Sequence, residues 1–322
     1  MLRQQMLVFG TALWMGWGAL GGTSLSLGIA PLLSKKVSNT TIGAKITTIK
    51  PDPPESVNKV EQRQIPGTAG KIPVRIYTPQ GSGNLPVLVY FHGGGFISGN
   101  LDTCDVPLRA LTNRAGSIIV SVDYRLAPKH PFPAALDDAY AVTRWVADHA
   151  KEIGGDATRI AVGGDSAGGN LAAVVALIAH DRRAPVLVYQ VLLYPNTDAT
   201  MSSASWKELD GPVLTRQQAT SSYAQYLPFG TDLKNPYVSP LWAKDLNNLP
   251  PALVITAGLD PLRDEGEAYA TRLWKAGVPI EATRYNSMSH GFFQMVGVLE
   301  QKKLIEQIAA ALRTAYAHVD KH

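Results

Sequence analysis

With 322 residues, 45% hydrophobic and only 17% charged, the chain is long enough for one large core and lacks the charge density of a disordered polypeptide. Its net charge of +4 is spread thinly, with no basic run longer than two residues, so charge gives no reason to expect nucleic acid or anionic lipid as a partner. A single cysteine, Cys104, excludes an internal disulfide, and no Cys/His cluster has metal-ligand spacing, so neither a metal nor a cofactor is expected.

The first residues stand apart. From Met6 to Leu33 there is no charged side chain, only apolar residues diluted by glycines, between Arg3 and Lys35-Lys36. Residues 1–34 therefore read as a secretory signal, with Ala19-Leu20-Gly21 a small-residue cleavage point, or as an uncleaved membrane anchor. Export or membrane attachment is the expected location. The alternative is a cytoplasmic protein in which this segment packs as an apolar helix on the folded domain. Residues 35–56 form a linker or cap-associated segment, ending in Pro51-Asp52-Pro53-Pro54, which no regular helix can continue through.

The folded domain is expected over residues 57–322. Val57 to Ile65 and Lys71 to Tyr77 read as strands joined by a turn at Pro66-Gly67 to Gly70. Leu85 to Phe91 is a buried strand that runs into His92-Gly93-Gly94-Gly95-Phe96. Consecutive glycines after a strand leave backbone N–H groups unobstructed by Cβ, as a site for a developing oxyanion requires. Val106 to Ala115 reads as a helix, and Ser117 to Val122 as a strand that delivers Asp123-Tyr124-Arg125-Leu126-Ala127-Pro128. Asp123 and Arg125 either fix the glycine loop by hydrogen bonds or pair with each other on the surface. Ala134 to Ala150 has apolar positions at helical spacing.

Arg159 to Gly163 is the next strand, and the sharp turn Gly164-Asp165-Ser166-Ala167-Gly168-Gly169 leads into an Ala/Leu/Val-rich helix. A serine at the tip of a strand-to-helix turn needs very small residues two before and two after it. Val186 to Leu193 is an apolar run interrupted only by Gln190, expected as a strand buried on both faces. The strand–helix rhythm then breaks from about residue 196 to 242, a stretch containing Trp206, Tyr223, Tyr226, Phe229, Tyr237 and Trp242, with Thr215 placed to cap a helix reaching about Leu227. An aromatic-rich insertion after this strand of the expected fold is where a cap or lid is built; the alternative, which holds for some of these residues, is ordinary core aromatics. Pro251 to Ala257 is a strand before Asp260, Asp264 to Ala276 a helix, and Ile280 to Tyr285 the last strand, polar enough for an edge. Leu299 to Ala317 closes the chain as a helix.

Ser166, Asp260 and His290 each follow a strand and occur in the chain order of the nucleophile, acid and base of an α/β-hydrolase. Asp264 and Glu265 are rival carboxylates but fall inside the following helix. His92 precedes the glycines and is expected to anchor their loop; His130, His149, His180, His318 and His322 lie in no motif and read as surface residues. The expected fold is α/β: a mostly parallel, eight-stranded sheet with helices on both faces and a small helical cap.

His92-Gly-Gly-Gly-Phe96, Asp123 to Pro128, Gly164-Asp-Ser-Ala-Gly-Gly169, Asp260-Pro-Leu-Arg-Asp-Glu-Gly266 and His290-Gly-Phe292 together resemble the hormone-sensitive-lipase-like family of bacterial carboxylesterases, in its G-D-S-A-G-G branch. The similarity runs from about Gln64 to the C-terminus. The resemblance implies an oxyanion hole made by the N–H groups of Gly94, Gly95 and Ala167, with Gly93 the less suited donor. It also implies N-terminal helices that contribute to a cap, and a preference for short and medium acyl chains. The expected reaction is cofactor-free hydrolysis of a small-molecule ester through an acyl-enzyme. A homodimer is left open. Amide hydrolysis by the same residues is the alternative; acyl transfer and a ligand receptor that has lost catalysis are the remoter ones, and receptors of this lineage lack the histidine.

Overall fold

The computed structural model describes residues 50, 53–81, 83–209 and 211–319. The reading of residues 1–34 as signal or anchor lies outside the described residues, as does His322. Eight strands form one sheet in the order β1-β2-β4-β3-β5-β6-β7-β8. They are β1 (Lys59–Gly67), β2 (Gly70–Thr78), β3 (Leu85–Phe91), β4 (Ile118–Val122), β5 (Gly155–Asp165), β6 (Tyr189–Leu193), β7 (Ala252–Leu259) and β8 (Ile280–Ser289). β1 pairs antiparallel with β2, and β2 antiparallel with β4, while all later pairings are parallel. The expected mostly parallel sheet is the one found.

The helices are α1 (Asp105–Ala115), α2 (Ala134–His149), α3 (Ala167–Arg182), α4 (Ser205–Glu208), α5 (Arg216–Tyr226), α6 (Arg263–Lys275) and α7 (Leu299–Val319). Side chains on a strand alternate between faces, and the central strands feed two separate cores. Val87, Val89, Phe91, Val120, Val162 and Val254 pack on one face with residues of α2, α3 and α6. Leu88, Tyr90, Ile119, Ala161, Leu193 and Ile255 pack on the other with α1 and α7. Strands buried on both faces are mostly apolar, which is why β3, β4, β6 and β7 read as hydrophobic runs interrupted only by single residues such as Ser121, Gln190 and Thr256. The edge strands β1 and β8 alternate with exposed positions. α3 is buried from Ala167 to Ala179 and is accordingly apolar on every side apart from Asn170.

Three expectations change. The strand expected over Val186 to Leu193 begins at Tyr189, and Val186 is 72% exposed. Val186 and Leu187 instead border an apolar groove with Ile280 and Ala311 at the N-terminal ends of the strands, so their hydrophobicity has another cause than the sheet. β8 continues past Tyr285 to Ser289, which carries the chain directly to His290. Arg125 binds neither the glycine loop nor Asp123. Its guanidinium forks onto Asp138 of α2, with Nη2 donating to Oδ1 at 2.7 Å and Nε to Oδ2 at 2.8 Å. A bidentate carboxylate on a neighbouring helix outcompetes single contacts to a loop.

Between β6 and β7 the segment from Asn196 to Trp242 holds α4, α5 and a short 3-10 turn at Pro240–Trp242. Thr215 caps α5 through a reciprocal pair: its Oγ1 accepts from Gln218 N, and Gln218 Oε1 accepts from Thr215 N. Its aromatic residues divide. Trp206, Tyr223 and Tyr226 are buried, Trp242 is partly exposed, and Phe229 is fully exposed.

Candidate active site

The parallel strands all end on one side of the sheet, and the C-terminal ends of β3, β5, β7 and β8 present four loops there. The turn after β5 holds Ser166 at φ 57° and ψ −119°, a conformation that costs a non-glycine residue on the order of 1–3 kcal/mol. The flanking glycines show why nothing larger is tolerated. A Cβ at Gly164 would lie 2.3 Å from Gly168 O, and one at Gly168 would lie 1.9 Å from Phe91 O. β5, β3 and the start of α3 therefore cross at contact distance, and the seryl hydroxyl is pushed out at the crossing. Ser166 N donates to Leu193 O at 2.9 Å, which ties the turn to β6.

His290 Nε2 lies 2.8 Å from Ser166 Oγ, and His290 Nδ1 lies 2.8 Å from Asp260 Oδ2. Asp260 is wholly buried, and its other oxygen accepts from Leu262 N at 2.9 Å. With Nδ1–H donated to this carboxylate, Nε2 is the free acceptor for the seryl proton. The His290 and Tyr194 rings pack at a steep angle with centroids 5.0 Å apart, so the imidazole is held by an aromatic neighbour as well. Ser166, Asp260 and His290, separate in sequence, are thus one hydrogen-bonded chain. The rival carboxylates are elsewhere. Asp264 accepts from Ser205 N at the foot of the cap. Glu265 is buried, accepting from Thr197 N, Asp198 N and Trp206 Nε1; burial pushes its carboxyl up to about 8 against these donors.

The glycine loop folds back on itself over Gly94 O, which accepts from Ile97 N, Ser98 N and Ser98 Oγ. Gly94 and Gly95 have φ of 127° and 62°. A Cβ at Gly94 would strike Ser98 O at 2.1 Å. Gly93 N is already committed, donating to Asp165 Oδ1 at 3.0 Å, whereas the N–H groups of Gly94 and Gly95 meet no protein acceptor among the described residues. That division of labour leaves Gly93 unsuited as a donor to substrate. His92 lies buried under the loop, its ring stacked on Tyr124 at 4.3 Å and its own carbonyl accepting from Tyr124 Oη at 2.7 Å. Burial lowers the His92 pKa, favouring the neutral imidazole of an anchor.

Sequence reasoning missed two residues next to Ser166. Asp165 collects Tyr90 Oη, Gly93 N and Gln294 Nε2, and so joins the β3 strand, the glycine loop and the loop after His290. Cys104 Sγ sits 3.6 Å from the same carboxylate, its thiol pushed well up by burial. Asn196 places its amide oxygen 3.3 Å from Ser166 Oγ and its amide nitrogen 3.2 Å from Tyr223 Oη. Neither residue has a spacing that singles it out along the chain. A buried serine hydrogen-bonded to an imidazole, itself hydrogen-bonded to a buried carboxylate, with unpaired backbone donors nearby, is equipped for acyl transfer through a covalent intermediate. Among the described residues no group of acidic, histidine or cysteine side chains could hold a metal ion.

A family model described as the alpha/beta hydrolase fold matches residues 88–294. The carboxylesterase NlhH of Mycobacterium tuberculosis is 47% identical over 250 residues, 74% of this chain and 78% of that protein. The ethyl acetate hydrolase of Pseudomonas putida is 39% identical over 235 residues, 71% of this chain and 74% of that one. Among solved structures, the hyperthermophilic esterase of the archaeon Pyrobaculum calidifontis is similar at a TM-score of 0.79, with 48% identity across 81% of this chain and 87% of its own. On this agreement of motif, fold and relatives, the chain belongs to the hormone-sensitive-lipase-like carboxylesterases of the α/β-hydrolase fold.

Proposed function

We propose that the protein is a serine carboxylesterase that hydrolyses short- to medium-chain esters through an acyl-enzyme on Ser166. The observation that carries the reading is the chain Ser166 Oγ, His290 Nε2, His290 Nδ1, Asp260 Oδ2, with 2.8 Å at each hydrogen bond. Ser166 attacks the ester carbonyl as His290 takes its proton. The carbonyl π pair moves to oxygen, and the N–H groups of Gly94, Gly95 and Ala167 receive that oxyanion. Each such donor lowers the barrier by about 3–4 kcal/mol. His290 then protonates the departing alcohol, and a water molecule repeats the sequence on the acyl-enzyme. Asp260 keeps the imidazole in one tautomer and stabilises its charged form.

The preference for short acyl groups is supported by how the cap spends its aromatic residues. Tyr226 stacks on Phe96 of the glycine loop with ring centroids 3.9 Å apart, and Trp206 is tied to Glu265. These rings are committed to packing the cap onto the domain. Aryl esters from acetate to palmitate, assayed on the purified protein, test this. Turnover should peak among the short and medium acyl groups; a steady rise to palmitate would make the protein a lipase.

Residues 1–34 are proposed to take the chain to a membrane or out of the cytoplasm, on the strength of their charge-free run. Among the described residues no helix is long and apolar enough to cross a membrane. A chain starting at Thr40 retains Glu55, which pairs with Arg114 of α1, and all eight strands. It should stay folded and active on short esters; loss of activity would instead make the segment part of the cap.

A further inference from the structure

The nucleophile has a second polar neighbour. Ser166 Oγ carries one proton, and His290 Nε2 at 2.8 Å takes it when Nδ1–H is donated to Asp260. The Asn196 amide oxygen then faces Oγ at 3.3 Å with no proton between them. Two acceptors in contact in a buried site repel, and Ser166 and Asn196 are each only 8% exposed. The backbone of Asn196 is not free to withdraw: its N–H donates to Ser166 O, and its carbonyl accepts from Asn170 Nδ2 at 2.8 Å. Its side chain is free to turn, since its only partners among the described residues are Ser166 and Tyr223.

Half a turn about the last torsion of Asn196 resolves the conflict. Nδ2–H then donates to Ser166 Oγ, and Tyr223 Oη–H donates to Asn196 Oδ1. Burial holds the Tyr223 hydroxyl well above its usual range, so it keeps its proton for this task. Every hydrogen bond then runs one way, from Tyr223 to Asn196 to Ser166 to His290, whose own Nδ1–H goes to Asp260.

We propose that Asn196 is the second hydrogen-bond partner of the nucleophile, its amide N–H donated to Ser166 Oγ in the reacting state, and that Tyr223 on the cap helix positions that amide. The inference rests on Ser166 being the nucleophile. No proton leaves the amide: the seryl proton goes to His290 Nε2, and the Asn196 N–H steadies the charge that builds on Oγ. It does so once as Oγ attacks, and again as Oγ departs from the acyl group.

The cap is thereby tied to the chemistry at two points on one helix. Beside Tyr223, α5 sets Ser222 Oγ 2.8 Å from where a Cβ of Gly95 would be, and Tyr226 onto Phe96. The helix therefore registers the glycine loop and the nucleophile together.

The test is a double-mutant cycle on the full chain, with short aryl ester turnover and the rate of organophosphate labelling as readouts. Asn196→Leu should lower kcat about two- to tenfold, the range of one lost hydrogen bond, with KM near wild type and Tm lowered by a few degrees because the Tyr223 hydroxyl loses its partner. Tyr223→Phe should lower it less, and the double variant should be no slower than Asn196→Leu alone, because the two residues act in series. Asn196→Asp keeps the shape but offers only acceptors, so it should be at least as slow as Asn196→Leu. Wild-type turnover in Asn196→Asp or Asn196→Leu would overturn the proposal, as would losses that multiply in the double variant. Should the Asn196 variants not fold, Tyr223→Phe carries the test alone: it removes one oxygen, and unchanged kcat and labelling rate would refute the chain. Ser166→Ala, run beside these, tests the underlying reading separately, since turnover surviving in it would show that Ser166 is not the nucleophile at all.

Discussion

Asp165 offers the most quantitative perturbation of the site. Its buried carboxylate accepts from Tyr90 Oη at 2.9 Å, Gly93 N at 3.0 Å and Gln294 Nε2 at 2.8 Å. Asp165→Asn keeps one oxygen for Tyr90 and Gly93, and the Gln294 amide turns over to offer its own oxygen to the new NH2. What is lost is the strength added by charge, about 1–2 kcal/mol in all. Asp165→Leu leaves three donors buried without acceptors, a loss on the order of 3–6 kcal/mol after local relaxation. The catalytic effect should follow the same order. Once Gly93 N is released, the peptide planes of Gly94 and Gly95 lose their register with Ser166, and a displaced oxyanion donor costs about 100- to 1,000-fold in kcat. Thermal denaturation and steady-state kinetics on a short aryl ester measure both effects. Asp165→Asn should lose less than about tenfold in kcat and a few degrees in Tm. Asp165→Leu should lose about a hundredfold or more, with KM little changed. Equal damage in the two variants, or wild-type kcat in Asp165→Leu, would refute the view that this carboxylate organises the glycine loop.

Two further outcomes are expected. Asp260→Asn should reduce turnover by about 10⁴-fold, as in triads where the amide imposes the wrong tautomer, whereas Asp264→Asn, whose side chain pairs with Ser205 and Arg263 away from His290, should leave kcat near wild type; comparable losses in the two would mean the acid is misassigned. Glu265 has its folded pKa raised from 4.5 to about 8, so between these values the folded state holds a proton that the unfolded state releases. Its contribution to stability is full below 4.5 and is lost as pH rises through about 8. The Tm of wild type relative to Glu265→Gln should therefore fall over that window, and a constant difference would contradict the burial argument.

The legible parts of this protein are those whose chemistry demands a particular residue at a short spacing. Gly164 and Gly168 stand two residues either side of Ser166 because a Cβ at either would meet backbone, and so the turn announces itself. The central strands were readable because both faces are buried, and Ser166, Asp260 and His290 because each directly follows a strand. Long-range partners of polar residues were not readable. Asp165 meets Tyr90 and Gln294 from opposite ends of the domain, and Glu265 meets Trp206 across the root of the cap. Arg125 took Asp138 rather than its neighbour Asp123 because a helix packed beside the loop brought a buried carboxylate to it. Such pairings depend on how helices sit on the sheet, which periodicity does not encode. Val186 misled for the converse reason, since its apolar character serves a surface groove and not a strand.

The central claim is that the hydroxyl of Ser166 is the atom that bonds to substrate. The most direct measurement is mass spectrometry of the full chain after reaction with diethyl p-nitrophenyl phosphate, set beside the turnover of Ser166→Ala. One adduct per chain is predicted, on the peptide containing Ser166, appearing in step with loss of esterase activity. Ser166→Ala should take no adduct and turn over about a million-fold more slowly. An adduct on Ser98 or Ser289, or esterase activity surviving in Ser166→Ala, would contradict the account.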